Sequence, residues 1–181
     1  MVEENGGYVY YLISQAPDLS GAQPKIQIGD KIHGVKVDAQ TATIYLDLPL
    51  KGISKDTLVS QMTMDAKNTE TVTFTIQSEQ TTGSMVTNGC TVTAEASNYD
   101  YEGNDTATYT IIVVGDVNGN GMIDSADAAL IAQFAAGVTT LSDHALLAAD
   151  ANMDGVVNTK DAKLICEKYV RADAYTSPLK K

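Results

Sequence analysis

Oxygen-bearing side chains recur in this chain on a schedule that suits a hard cation. Asp116, Asn118, Asn120, Asp124 and Asp127 stand at positions 1, 3, 5, 9 and 12 of one twelve-residue stretch. Asp150, Asn152, Asp154, Asn158 and Asp161 hold the same positions of a second stretch that begins 34 residues later, and glycine (Gly121, Gly155) fills position 6 of both. A calcium ion takes roughly six to eight oxygens at about 2.3–2.6 Å, so a short chain must wrap it with alternate side chains and turn sharply at position 6. Position 7 gives only its backbone carbonyl, so Met122 and Val156 can be apolar there. Asp127 and Asp161 would close each shell from the first turn of a following helix. Each stretch has three carboxylates, Asp116, Asp124 and Asp127 or Asp150, Asp154 and Asp161, so one Ca2+ leaves about one negative charge over. Two Ca2+ ions are expected. Mg2+, which demands a tight octahedron and keeps its water, fits less well.

An Asx-rich surface turn is the plainer reading of one such stretch, because Asp, Asn and Gly favour turns for conformational reasons. Two copies in register with matching flanks speak against it. Asp127-Ala128-Ala129-Leu130-Ile131 answers Asp161-Ala162-Lys163-Leu164-Ile165, each the start of an amphipathic helix. Leu130, Ile131 and Phe134, with Leu164, Ile165 and Tyr169, are expected to form the core between these helices, Phe134 or Tyr169 being open to sharing with a partner. Leu141 to Ala149 reads as a short linking helix with Ser142 and Asp143 at its N-cap.

No helix leads into the first loop. The β-branched run Thr106 to Val114 enters Gly115-Asp116 directly. Upstream, strands are expected over Tyr8 to Ser14, Lys25 to Ile28, Ile32 to Val37, Thr41 to Leu50, Thr57 to Asp65, Glu70 to Gln77 and Cys90 to Ala96. Strict alternation in Thr71-Val72-Thr73-Phe74-Thr75-Ile76 predicts one buried face. Short strands at this spacing suggest an all-β sandwich of immunoglobulin-like type. The expected organisation is two modules, a β-sandwich at 1–114 and an all-α metal-binding module at 115–181. Chelation is expected to unfold only the second, whose core is thin.

Composition excludes several classes. The chain has 181 residues and a net charge of −11, without a basic patch, which argues against nucleic acid or an anionic membrane as partner. No apolar run is long enough to span a bilayer, and Met1-Val-Glu-Glu-Asn lacks the features of a signal peptide, which makes the chain read as a fragment of something longer. Cys90 and Cys166 have no zinc spacing and read as separate thiols packed as small apolar groups. His33 and His144 fall in different modules, and neither a nucleophile elbow nor a phosphate loop is present, so the chain is expected not to be an enzyme.

From about Gly115 to Arg171 the chain resembles a dockerin, the duplicated calcium-binding module that plugs into cohesin modules of cellulosome-type complexes. Aspartate at position 12 in both loops, and the missing entering helix of the first, carry that resemblance in preference to a calmodulin-like pair. The β-module before it is similar in position and character to the X modules of X-module–dockerin pairs. The resemblance implies a cohesin partner on a scaffold or cell-surface anchoring protein, in an extracellular assembly that degrades polysaccharide. It also implies contact positions 10 and 11 of each loop and 17, 18 and 22 of each helix. These are Ser125, Ala126, Ala132, Gln133 and Gly137 in the first repeat and Thr159, Lys160, Cys166, Glu167 and Arg171 in the second. Because the two sets differ in charge, one orientation of docking is expected to dominate.

Two other readings stand beside this one. A calcium sensor would need a Met-rich groove, and Met is sparse on these helices. A carbohydrate-binding module would need aromatic platforms, for which Tyr8, Tyr10 and Tyr11, or Tyr99 and Tyr101, are the candidates. The stretch from Asn98 to Asp105 imitates a third calcium loop but meets Tyr109 at position 12, and reads as a hairpin turn.

Overall fold

Threonine alternating with apolar residues gives strands in the first 113 residues, as in Thr69–Gln77. The computed structural model describes residues 2–4, 7–9, 25–29, 32, 34–65, 69–78, 83–98, 104–170 and 177–179. Two ribbons are antiparallel pairs: Val2–Glu4 (β1) with Gly7–Val9 (β2), and Lys25–Ile28 (β3) with Met62–Asp65 (β6). A five-stranded mixed sheet has the order β4-β5-β9-β8-β7, made of Gly34–Asp38, Thr43–Asp47, Asn104–Val113, Thr91–Asn98 and Thr69–Gln77. Its β5–β9 pair is parallel, with Ile44 opposite Ile111 and Leu46 opposite Val113, and the other pairs are antiparallel. The N-terminal part is therefore a mixed β-sheet domain.

Most expected strands fall where the pattern placed them, and one departs. Residues from Tyr10 to Ser14 lie outside the described residues. The expected strand Thr57 to Asp65 begins instead as a helix, Lys55–Val59 (α1), and only Met62–Asp65 is strand. The cause is local: Ser54 caps the helix by accepting from the Thr57 N–H at 3.1 Å, and Asp56 sits in the first turn, where carboxylates favour the helix dipole. Leu58 turns in and is fully buried.

Alternation breaks down where the sheet is covered on both sides. Val72, Phe74 and Ile76 on β7 are half-buried while Thr71, Thr73 and Thr75 are exposed, as one covered face requires. By contrast Ile111, Ile112, Val113 and Val114 are all buried, and so are Thr43, Ile44, Leu46, Asp47 and Leu48. One face of these central strands looks into the β-domain core with Ile26, Met62 and Val92. Helical elements cover the other face. They are Ser125–Ala135 (α2), Asp143–Ala149 (α3) and Thr159–Val170 (α4), with α2 packed on α4 and α3 on β9.

The core does not stop at residue 114. Ile123, Ala128, Ile131, Ala145, Ala149 and Ile165 belong to the same buried cluster as Ile44, Leu46 and Ile111. Between α2 and α4, Ile131 and Ile165 are buried and Leu130, Leu164 and Phe134 half-buried; the Tyr169 side chain lies outside the described residues. Ser142 caps α3 as expected, accepting from the Ala145 N–H at 3.4 Å. Near the chain end Ser177 is buried, and a Cβ built on Gly34 of β4 would stand 2.2 Å from its hydroxyl, so this segment runs back against the edge strand. No described helix is long and apolar enough to cross a membrane.

Candidate metal centre

β9 runs directly into the first loop, and α3 into the second. Each loop then closes on itself by nearly the same hydrogen bonds, differing at position 2, where Val117 N–H donates to Asp127 and Ala151 N–H to the Ala149 carbonyl. In the first, the Asp116 carboxylate accepts from the N–H groups of Asn120 and Gly121, both at 3.0 Å. Asn118 Oδ1 accepts from Asn120 at 2.9 Å, Asn120 Oδ1 from Met122 at 2.7 Å and Asp124 Oδ1 from Ala126 at 2.7 Å. Asp127 reaches back from α2 and accepts from Val117 and Asn118 on Oδ1 and from Asp124 on Oδ2.

The second loop repeats this in register. Asp150 accepts from Asp154 at 3.1 Å and Gly155 at 2.8 Å, Asn152 from Asp154, Asp154 from Val156, and Asn158 from Lys160. Asp161 accepts from Asn152 and Asn158. Gly121 and Gly155 have φ of +81° and +86°, the left-handed turn that position 6 requires. At position 4 the first loop has Gly119, whereas the second holds Met153 at φ +60°, a conformation a non-glycine residue adopts at a cost.

Among the described residues, no group of three or more His, Cys, Asp or Glu side chains gathers as a metal cluster. Each shell is instead of mixed type, with carboxylate oxygens at positions 1 and 12 and carboxamide oxygens at position 3. The donors offered, carboxylate, carboxamide and backbone carbonyl without sulfur or imidazole, are those a hard cation takes. Asp116, Asp127 and Asp161 are buried. Burial raises the pKa of Asp116 against the backbone N–H groups that lower it, and pushes that of Asp127 up to about 6. Carboxylates removed from water in this way ask for a cation. The residues thus fit Ca2+, with one local adjustment: Asn158 Nδ2 donates to the Val156 carbonyl at 2.8 Å, the oxygen position 7 would supply.

The expected partner face is open. Ser125, Ala126, Ala132, Gln133 and Gly137 are exposed, as are Thr159, Lys160, Cys166 and Glu167, while Arg171 lies outside the described residues. Cys166 therefore does not pack as a small apolar group; Cys90 does, and both are free thiols. Lys163 reaches Glu167 one turn on, at 3.6 Å. Tyr10, Tyr11, Tyr99, Tyr101 and His33 lie outside the described residues, as does the Tyr8 side chain. His144 is exposed on α3 and accepts, through its backbone carbonyl, from Asn88 Nδ2 at 2.9 Å.

Sequence reasoning missed the residues that join the halves. Lys168 on α4 forms a buried ion pair with Asp47 on β5, their side chains 6% and 0% exposed. Desolvation lowers the Lys168 pKa, and the Asp47 charge opposes that shift. A signal was present. Counted from its loop, Lys168 holds the place of Phe134 in the first repeat, so a cation stands in an apolar row and needs a buried anion. Asn88 and Gly52, which touch the first loop, carried no signal.

The family model for the dockerin type I domain matches residues 114–169. One similar solved structure is described as the third cohesin ScaC in complex with a ScaB dockerin mutated in its C-terminal helix (IN to SI), from Acetivibrio cellulolyticus, displaying a type I interaction. It shares 32% identity over 37% of this chain and 93% of that one, with a TM-score of 0.33. No curated protein matches the chain. A dockerin-type domain at 114–169 therefore follows an N-terminal β-rich domain. The dockerin fold generally binds Ca2+ through EF-hand-like loops, and the dockerin family is non-catalytic.

Proposed function

We propose that this chain is a non-catalytic assembly module whose dockerin-type domain, folded around two Ca2+ ions, docks a cohesin on a scaffold or cell-surface anchoring protein. The first ion is held by Asp116, Asn118, Asn120, the Met122 carbonyl, Asp124 and Asp127. The second is held by Asp150, Asn152, Asp154, the Val156 carbonyl, Asn158 and Asp161. The match over 114–169 carries the reading, and the nine described contact positions, all exposed, agree with it. Cohesin contacts run along α2 through Ser125, Ala126, Ala132 and Gln133 to Gly137 just past its end, and along α4 through Thr159, Lys160, Cys166 and Glu167, with Arg171 following in sequence.

The complex so built belongs outside the cell, in a polysaccharide-degrading assembly of cellulosome type. We read the β-rich domain as an X-module of immunoglobulin-like type, the β3–β6 ribbon forming its second layer over the sheet. Charge at Lys160, Glu167 and Arg171 has no counterpart on α2, so a cohesin fitted to one helix leaves desolvated charges unpaired on the other, and one orientation dominates. Capture of the chain by a panel of cohesins, with calcium and with chelator, tests the reading. Capture by at least one cohesin, lost in chelator, is expected; binding to none, or binding indifferent to chelator, overturns it.

A further inference from the structure

The β-rich domain bonds to the first metal loop from outside the dockerin-type domain. The Asn88 N–H donates to Asp116 Oδ2 at 3.0 Å, adding a donor to a carboxylate that its own loop already holds. Asn88 is tied in turn by its Nδ2 to the His144 carbonyl. Gly52 comes so close that a Cβ on it would stand 2.1 Å from the Gly121 carbonyl oxygen. Ile123 N–H donates to the Leu50 carbonyl at 2.9 Å. At the matching places of the second loop, Gly155 is exposed with open space around it, and the Asp150 carboxylate accepts from Asp154 and Gly155 of its own loop.

The geometry points to Asn88 and Gly52 as positioning residues of the first metal loop. The β-rich domain holds residues 116–127 in their folded shape with or without metal, whereas residues 150–161 depend on metal for order. A loop fixed beforehand loses less conformational freedom when it closes on an ion, so the first loop is the tighter of the two. The second carries the left-handed Met153 as well, and among the described residues no N–H of the β-rich domain donates to its position-1 carboxylate.

Hydrogen exchange on the full chain in chelator tests this directly. The amides of Asn120, Gly121 and Met122 are expected to exchange at least about tenfold more slowly than those of Asp154, Gly155 and Val156. Equal exchange in the two loops overturns the inference. Gly52→Ala is expected to bring the first loop's rates to those of the second. Should that variant not fold, Asn88→Ala removes only the tie to His144 and is expected to weaken the tighter of two calcium steps by about tenfold, leaving the other unchanged. The inference rests on the calcium-loop reading, and calorimetry separates the two. An unaltered chain that takes up no calcium overturns both, while two steps that Asn88→Ala moves together overturn this one alone.

Discussion

The two metal loops are nearly one sequence in two surroundings. At most positions they make the same internal hydrogen bonds, from Asp116 or Asp150 at the start to Asp127 or Asp161 at the close. Asp116 and Gly121 are nevertheless buried against the β-rich domain, while their counterparts Asp150 and Gly155 are half-buried and exposed. Local sequence therefore sets a loop's inner wiring, and the rest of the chain decides how much water it sees. The helix ends differ in the same way: α4 finishes on the buried Lys168–Asp47 pair, whereas α2 presents Phe134 half-buried at the equivalent place.

Removing both anchors erases the comparison and gives the largest effect. Asp116→Ala combined with Asp150→Ala is expected to abolish calcium uptake in calorimetry and cohesin capture with it. Singly, Asp116→Ala costs more stability, since it also strands the Asn88 N–H. Two calcium ions still bound to the double variant would sink the ligand assignment.

Next in size is the pair at the end of α4. Lys168→Met leaves Asp47 buried without its partner and is expected to destabilise the chain by about 3–5 kcal/mol in denaturant unfolding. Adding Asp47→Leu should recover most of that loss. Phe134→Leu, at the equivalent place on α2, is expected to cost less than about 1.5 kcal/mol. Similar losses at both positions would show that the two helix ends are held alike.

Asp127 gives a smaller effect with a definite sign. Its pKa is raised by burial from 3.8 to about 6 in the metal-free fold, so between these values the folded state binds more protons than the unfolded one. Stability in chelator should therefore fall as pH rises from about 4 through about 6, and Asp127→Asn should flatten that slope in thermal melts. Calcium, which needs the ionised carboxylate, should bind more weakly as pH falls through the same window. The smallest effect concerns what leads into each loop. Ser142→Ala removes the cap of α3, the helix ahead of the second loop, and should cost about 1 kcal/mol. The first loop, entered from β9, should keep its calcium affinity in that variant.

Much of this was legible in the residues because it is local. Positions 1, 3, 5, 6, 9 and 12 carry the loop geometry, Ser142 announces the α3 cap, and β3 and β7 follow period-two patterning. What stayed hidden is tertiary. The unbroken run Ile111 to Val114 marks strands covered on both faces, but the pattern does not say that the second cover is the dockerin-type domain. Asn88 acts through its backbone N–H, which every residue but proline has, so no side-chain pattern could single it out. The helix α1 was overlooked because Ser54 and Asp56 sit in a stretch whose Thr57, Leu58 and Val59 read as strand.

The central place of β9 has a mechanical consequence. This strand is flanked by β5 on one side and β8 on the other, and its C-terminal end passes into the first metal loop without a linker. A pull transmitted from the exposed faces of α2 and α4 toward the N-terminal half therefore enters the sheet along a strand axis. Hydrogen bonds on both edges of β9 lie across that direction and bear the load together, in shear, where a strand peeled sideways from an edge would release them one by one. The ladder and the Lys168–Asp47 pair share that tension, so the junction between the domains is braced where a flexible tether would simply extend.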